Sequence, residues 1–257
     1  TPPRLSQVAL TKTVNDEFVR FGDVVQIANL AHGAVLAVDV ASTDPRPAEA
    51  SCVVSGAFEP KAQAPCARNT FTFEKYHPRS TAVLVPTYDD EILRYGQKVK
   101  IVANPAAGCV GGGGVIDEDE NAPAAKMRLK SFPVSTTHFA RLSRECEVVC
   151  SAIDSYECVF EVLTPDPARR LASEGVEVMA GAPVVLLHCQ TNRCAAMEGA
   201  AFATDFGNEL EVCGRTVTGA GNAYVMQGLA TGKPQSMSAK APGDVNVFTI
   251  VTGETTS

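Results

Sequence analysis

The chain has 257 residues, 45% of them hydrophobic, with 22 Lys and Arg against 29 Asp and Glu for a net charge of −7. That much apolar material predicts a sizeable core in one large or two small domains, and the acidic balance without a basic stripe excludes a nucleic-acid groove or an anionic membrane as the main partner. No apolar run approaches the roughly 20 residues of a bilayer-spanning helix, and the longest, TAVLVP and APVVLL, are strand-sized, so a soluble globular chain is expected.

The opening segment TPPRLSQVALTK has no Met, basic n-region or apolar h-region. It predicts no signal peptide, and a start downstream of the natural one. Nine cysteines are an odd number without disulfide-framework spacing. They read as reduced thiols in a cytosolic space, most of them small core residues.

The first predicted elements lie in VRFGDVVQIANLAHGAVLAV, residues 19–38, which reads as a glycine turn, an alternating strand, a second turn at Gly33 and a second strand. Two further strands follow, SCVVSGA (51–57) and the aromatic NTFTFEKY (69–76). The pattern restarts at Leu93 with LRYGQKVKIVANPAAGCV, continues through ECEVVCSA (145–152) and closes on CVFEVLTP (158–165). It restarts again at Val178 with VMAGAPVVLLHCQTNRCAAM, followed by ELEVCGRT (209–216) and NVFTIVTG (246–253).

Aligned on Gly22, Gly96 and Gly181, the three copies place the same chemistry at the same offsets, as a true repeat must. Val19, Leu93 and Val178 precede the glycines. Val25, Val99 and Val184, then Ile27, Ile101 and Leu186, follow on one inward face of period two, with Lys98 and Lys100 pointing outward. A turn comes next at Gly33, at Gly108 and at Thr191–Arg193, and beyond it Leu36, Val110 and Ala195. Phe71, Phe160 and Phe248 close the units at intervals of 89 and 88 residues. The middle unit is longer because GGGGVIDEDENAPAAK reads as an inserted loop.

Three pseudo-equivalent units of about four short strands with long loops, and no helical period over ten residues, describe an all-β, β-trefoil-like fold that closes on itself and hides its strand edges. The boundaries are an N-terminal arm over 1–17, a single domain over 18–253 with units of about 18–76, 92–163 and 177–252, and a tail over 254–257.

The chemistry-bearing motifs read as structural. The glycines 111–114 could form a phosphate nest, but no Lys-Ser or Lys-Thr follows, and Asp117, Glu118, Asp119 and Glu120 would repel an anion. His188 beside Cys189, with Cys194 near, suggests a dyad or a zinc ligand set. Neighbouring strand residues point to opposite faces, and Cys146, Val148 and Cys150 have core spacing instead. Glu145 with Glu147 and Glu209 with Glu211 are carboxylate pairs about 6.6 Å apart along a strand, within the range glycoside hydrolysis uses. They recur in two units, which points to an architectural or surface role. The chain has no Trp, so the aromatic platform of a sugar-binding trefoil is missing. No catalytic residue, metal ion, cofactor, nucleic acid or membrane partner is expected.

The openings VRFGDVVQI and LRYGQKVKI resemble the MIR repeat of inositol trisphosphate receptors and protein mannosyltransferases, which builds β-trefoils. A more specific resemblance runs from about Leu5 to Thr252. HCQTNRCAAMEGAAFATDFGNELEV (188–212), ARNTFTF (67–73), ILRYGQ (92–97) and TPDPARRLASEGVEVMAGAPV (164–184) are similar, in order and spacing, to the cilia- and flagella-associated protein 161 family. Cys194 stands where that family leads one to expect Gly after TNR, and the loop at 107–127 is peculiar to this chain.

The resemblance implies a non-enzymatic microtubule inner protein. It would sit on the lumenal face of the A-tubule of axonemal doublets, beside α/β-tubulin and other inner proteins, and stabilise the doublet for ciliary beating. Binding is expected on inter-strand loops. Arg193 in the TNR turn, and Arg169 with Arg170 between the second and third units, are the expected partner contacts. The competing reading is a soluble ligand-binding trefoil for inositol phosphates or glycans.

Overall fold

A computed structural model describes residues 5–13, 17–44, 51–78, 88–107, 126–217 and 241–253. The glycine run 111–114, the acids 117–120, Gly108 and Val110 lie outside the described residues. The strands are β1 (Gln26–Asn29), β2 (Val35–Asp44), β3 (Ser51–Ala57), β4 (Phe71–Lys75), β5 (Lys98–Ala103) and β6 (Arg128–Ser131). They continue as β7 (Cys146–Ser151), β8 (Phe160–Leu163), β9 (Pro183–His188), β10 (Arg193–Thr204), β11 (Gly207–Gly214) and β12 (Val247–Val251). The two α-helices among the described residues, α1 (Pro60–Gln63) and α2 (Arg170–Ser173), are single turns. No described helix is long and apolar enough to cross a membrane.

All strands join one antiparallel sheet that closes on itself into a barrel. β1 pairs β12, β12 pairs β9, β9 pairs β8, β8 pairs β5, and β5 pairs β4. The ring closes just before β1, where Val25 N–H donates to the Phe71 carbonyl at 2.9 Å and Phe71 N–H returns to Val25 at 2.8 Å. The remaining strands form the hairpins β2–β3, β6–β7 and β10–β11, and one strand of each, β3, β7 and β11, pairs with the other two.

Alternation fills the ring. Val25, Ile27, Phe71, Phe73, Val99, Ile101, Phe160, Val162, Val184, Leu186, Phe248 and Ile250 point inward and are each 1% exposed or less. Val25, Val99, Val184, Ile27, Ile101 and Leu186 are the inward positions expected from the repeat, and the closing phenylalanines with Phe73, Val162 and Ile250 join them. The residues preceding the glycines seal one end of the barrel. Val19 N–H donates to Val178 at 3.0 Å, Val178 to Leu93 at 2.8 Å and Leu93 to Val19 at 2.8 Å, a cyclic set in which each unit satisfies the next.

The repeat glycines make this plug possible. Gly22, Gly96 and Gly181 have φ of 86°, 80° and 75°, in the left-handed region that a Cβ disfavours. Their N–H groups donate to Phe73, Val162 and Ile250, joining each turn to a barrel strand.

The cap strands depart from simple alternation. Every residue of β3 and β7 is buried, so both faces are covered. Polar side chains of these cap strands, Ser55 of β3 and Glu211 of β11 among them, find partners inside the protein, whereas the buried Ser51 hydroxyl has none. The paired glutamates therefore do not play the surface role considered for them. Glu147, Glu209 and Glu211 are buried, and only Glu145 of the four is half-exposed.

Candidate functional site

The buried glutamates hold the units together. Glu209 of β11 receives a bidentate pair of bonds from Arg68, both at 2.8 Å, and a third from the Ser55 hydroxyl of β3 at 2.7 Å. Both charged side chains are 2% exposed, and the Arg68 guanidinium lies 3.7 Å from the centre of the Phe206 ring. Glu211 accepts the backbone N–H groups of Leu142 at 2.6 Å and Ser143 at 2.8 Å, tying the β6–β7 loop to the third unit. Lys130, also buried, pairs with Glu157 at 3.1 Å. Each carboxylate is committed to partners that fix chain geometry, the arrangement expected where buried charges must be compensated.

His188 and its neighbouring thiols are equally committed. The Glu157 carbonyl lies 2.9 Å from His188 Nε2, so that nitrogen carries the proton, and Nδ1 accepts from the Thr191 hydroxyl at 2.8 Å. Burial holds this imidazole below its usual pKa, opposed by the Glu157 carbonyl bond. Burial pushes the Cys189 thiol up to about 11 and Cys213 up to about 12, so neither is a ready thiolate nucleophile. Cys194 and Cys146 are shifted upward for the same reason. The described residues contain no cluster of three His, Cys, Asp or Glu able to hold a metal ion.

A cleft of about 1240 Å³ lies where β4 meets β5. Its cations are already neutralised. Lys75 pairs with Glu91 at 3.0 Å, Lys100 with Asp154 at 2.6 Å, and Lys126 with Glu74, which Arg128 approaches from outside the cleft. Tyr76 and Tyr156 meet edge to face at its rim. Such a wall offers no convergent cationic site for an inositol phosphate. Of its charged residues the sequence singled out Lys100 alone, as an outward-facing strand residue; the ion pairs themselves join positions 16 to 54 residues apart and leave no pattern in the residue order.

The expected contact arginines fall at two separate places. Arg193 opens β10, exposed, after a turn in which Asn192 has φ 53°. Arg169 is exposed at the start of α2, whereas Arg170 is half-buried and donates from Nε to the Thr164 carbonyl at 3.3 Å. No hydrogen bond or ion pair among the described residues joins Arg193 to either.

Comparison with known proteins finds a likeness to one family and to several solved folds. The model of the family "Cilia- and flagella-associated protein 161-like domain" matches residues 131–223. Cilia- and flagella-associated protein 161 of Danio rerio is 27% identical over 218 residues, 78% of this chain and 64% of that protein. The chain thus spans less than two thirds of the length of that curated relative.

Among solved structures, a Caenorhabditis elegans protein of unknown function superposes with a TM-score of 0.56 at 12% identity, covering 94% of this chain and 99% of that one. The Saccharomyces cerevisiae protein O-mannosyltransferase Pmt1-Pmt2 complex superposes with a TM-score of 0.54 at 15% identity, covering 95% of this chain and 26% of that one. At such identities the likeness is one of fold.

Proposed function

We infer, from comparisons that support assigning this chain to the cilia- and flagella-associated protein 161 family, that it is a structural microtubule inner protein of cilia and flagella. In this reading it binds the lumenal face of the A-tubule of doublet microtubules, beside α/β-tubulin and other inner proteins, and stabilises the doublet for ciliary and flagellar beating. The observation that carries the reading is the similarity over 218 residues to a cilia- and flagella-associated protein. The architecture agrees with it. A closed barrel whose buried carboxylates, His188 and cleft cations are all engaged suits a scaffold that presents surfaces better than an enzyme that must free a reactive group.

We propose further that the barrel is a β-trefoil. The six-strand ring, the three mutually paired hairpins and the cyclic bonds among Val19, Leu93 and Val178 support that reading. Arg193, and Arg169 with Arg170, are the proposed contacts with tubulin or neighbouring inner proteins.

The test is extraction of demembranated cilia from the source organism with high salt, followed by quantification in doublet pellet and supernatant. Retention with tubulin is expected. Release with the detergent or salt fraction would refute a lumenal position. Reversing Arg169 and Arg170 to Glu should reduce axonemal incorporation, and undiminished incorporation would remove those two residues from the interface.

A further inference from the structure

We propose that the tip of the β6–β7 hairpin is a preformed docking surface for a carboxylate-rich protein segment, with Arg141 and Arg144 as its anchors. The turn that carries them is fixed from three sides. Ala140 N–H donates to Glu145 at 2.9 Å and Arg144 N–H to Ala140 at 3.2 Å, closing the turn. The buried Glu211 carboxylate holds Leu142 and Ser143 from below, as described above. Arg144 has φ 62°, a conformation a non-glycine residue keeps only where its surroundings impose it.

The two guanidiniums are supported rather than neutralised. Arg141 lies 5.5 Å from the centre of the Phe202 ring, and Arg144 lies 4.6 Å from that of Phe139. Both are exposed, and among the described residues neither has a carboxylate partner, in contrast to the cleft cations. An arginine braced on a ring has lost part of its rotamer freedom before a partner arrives, which lowers the entropy cost of an ion pair. Phe202 comes from β10, so the surface exists only when the second and third hairpins meet.

Charge and polarity select the partner. Two forked cations on a chain of net charge −7 match a pair of carboxylates. They are too few for a nucleic-acid track or an anionic bilayer, which need longer basic clusters. Leu142 between them is 45% exposed and Val134 on the same loop 55%, so an acidic segment with an apolar residue beside its carboxylates fits best. This surface is independent of the ciliary reading, because its geometry lies wholly in this chain.

The test is titration of the purified chain with a fluorescent peptide of alternating Glu and Leu, in parallel with phosphatidylserine vesicles and single-stranded RNA. The peptide should bind, weaken as salt rises from about 50 to 200 mM, and lose at least about tenfold in affinity in R141E/R144E. K61E, at the exposed Lys61 of α1, should stay within about twofold of the unmodified chain, since no ring braces that ammonium. An unchanged urea midpoint in R141E/R144E shows that the variant folds. The proposal is overturned by absence of peptide binding, by equal affinity in R141E/R144E, or by tighter binding to vesicles or RNA. Failure of axonemal retention leaves this test unaffected, so the two readings fail separately.

Discussion

Replacing Glu209 by Gln removes one charge from an ion pair shielded from water. Arg68 would keep its positive charge, 2% exposed, with a neutral amide in place of its bidentate partner. Three charge-assisted bonds are at stake, two from Arg68 and one from Ser55. Breaking one side of such a buried pair costs about 3–5 kcal/mol, because the stranded charge stays desolvated. For a domain of this size that corresponds to roughly 10 °C in Tm.

The chain has no Trp, so circular dichroism is the appropriate probe of urea and thermal unfolding. Arg68→Met should cost a similar amount, and the double variant Arg68→Met/Glu209→Leu should lose much less than the sum, since no uncompensated charge remains. A loss under about 1 kcal/mol for Glu209→Gln, or strict additivity in the double variant, would refute the assignment of this pair as a buried clamp. The same variant addresses the hydrolase alternative, which requires a glycan-cleaving activity that disappears with the carboxylate.

Gly22→Ala and Gly181→Ala should each destabilise by about 1–2 kcal/mol purely through φ, since a Cβ at either position meets nothing within 4 Å. Gly96→Ala should cost more than either, because its Cβ would also lie 2.9 Å from Glu174 Cγ; urea midpoints rank the three. His188 has a folded-state pKa below its usual 6.5, so the unfolded chain takes up the proton first. Its contribution is therefore complete above 6.5 and is lost as pH falls through the folded pKa; this slope in unfolding free energy should flatten in His188→Gln. Cys189 and Cys213, raised to about 11 and about 12, should react slowly with iodoacetamide near pH 8 and rapidly once urea unfolds the chain, as read by mass spectrometry.

The parts of the fold visible in the residue order are those set by local rules. Period-two alternation placed Val25, Ile27 and their counterparts inward, and a glycine before each run marked a turn with positive φ. The sequence set aside a His188–Cys189 dyad, but the burial of His188 between Glu157 and Thr191 was not read from it. The glutamate pairs were half legible. Their recurrence pointed to architecture, but alternation suggested an open outer face, whereas loops from other units cover it. The pairing of the cleft cations and the bracing of Arg141 left no local signal, since Arg141 depends on a ring 61 positions away.

Sequence alone therefore determined the all-β plan, the inward face of the strand that follows each repeat glycine and the three glycine turns, because φ limits and side-chain alternation act between near neighbours. Only the tertiary structure decided which charge meets which. Arg68 finds Glu209 and Glu211 finds the Leu142 N–H across separations of 141 and 69 residues, and those distances are closed by the barrel, whose apolar interior holds the units together.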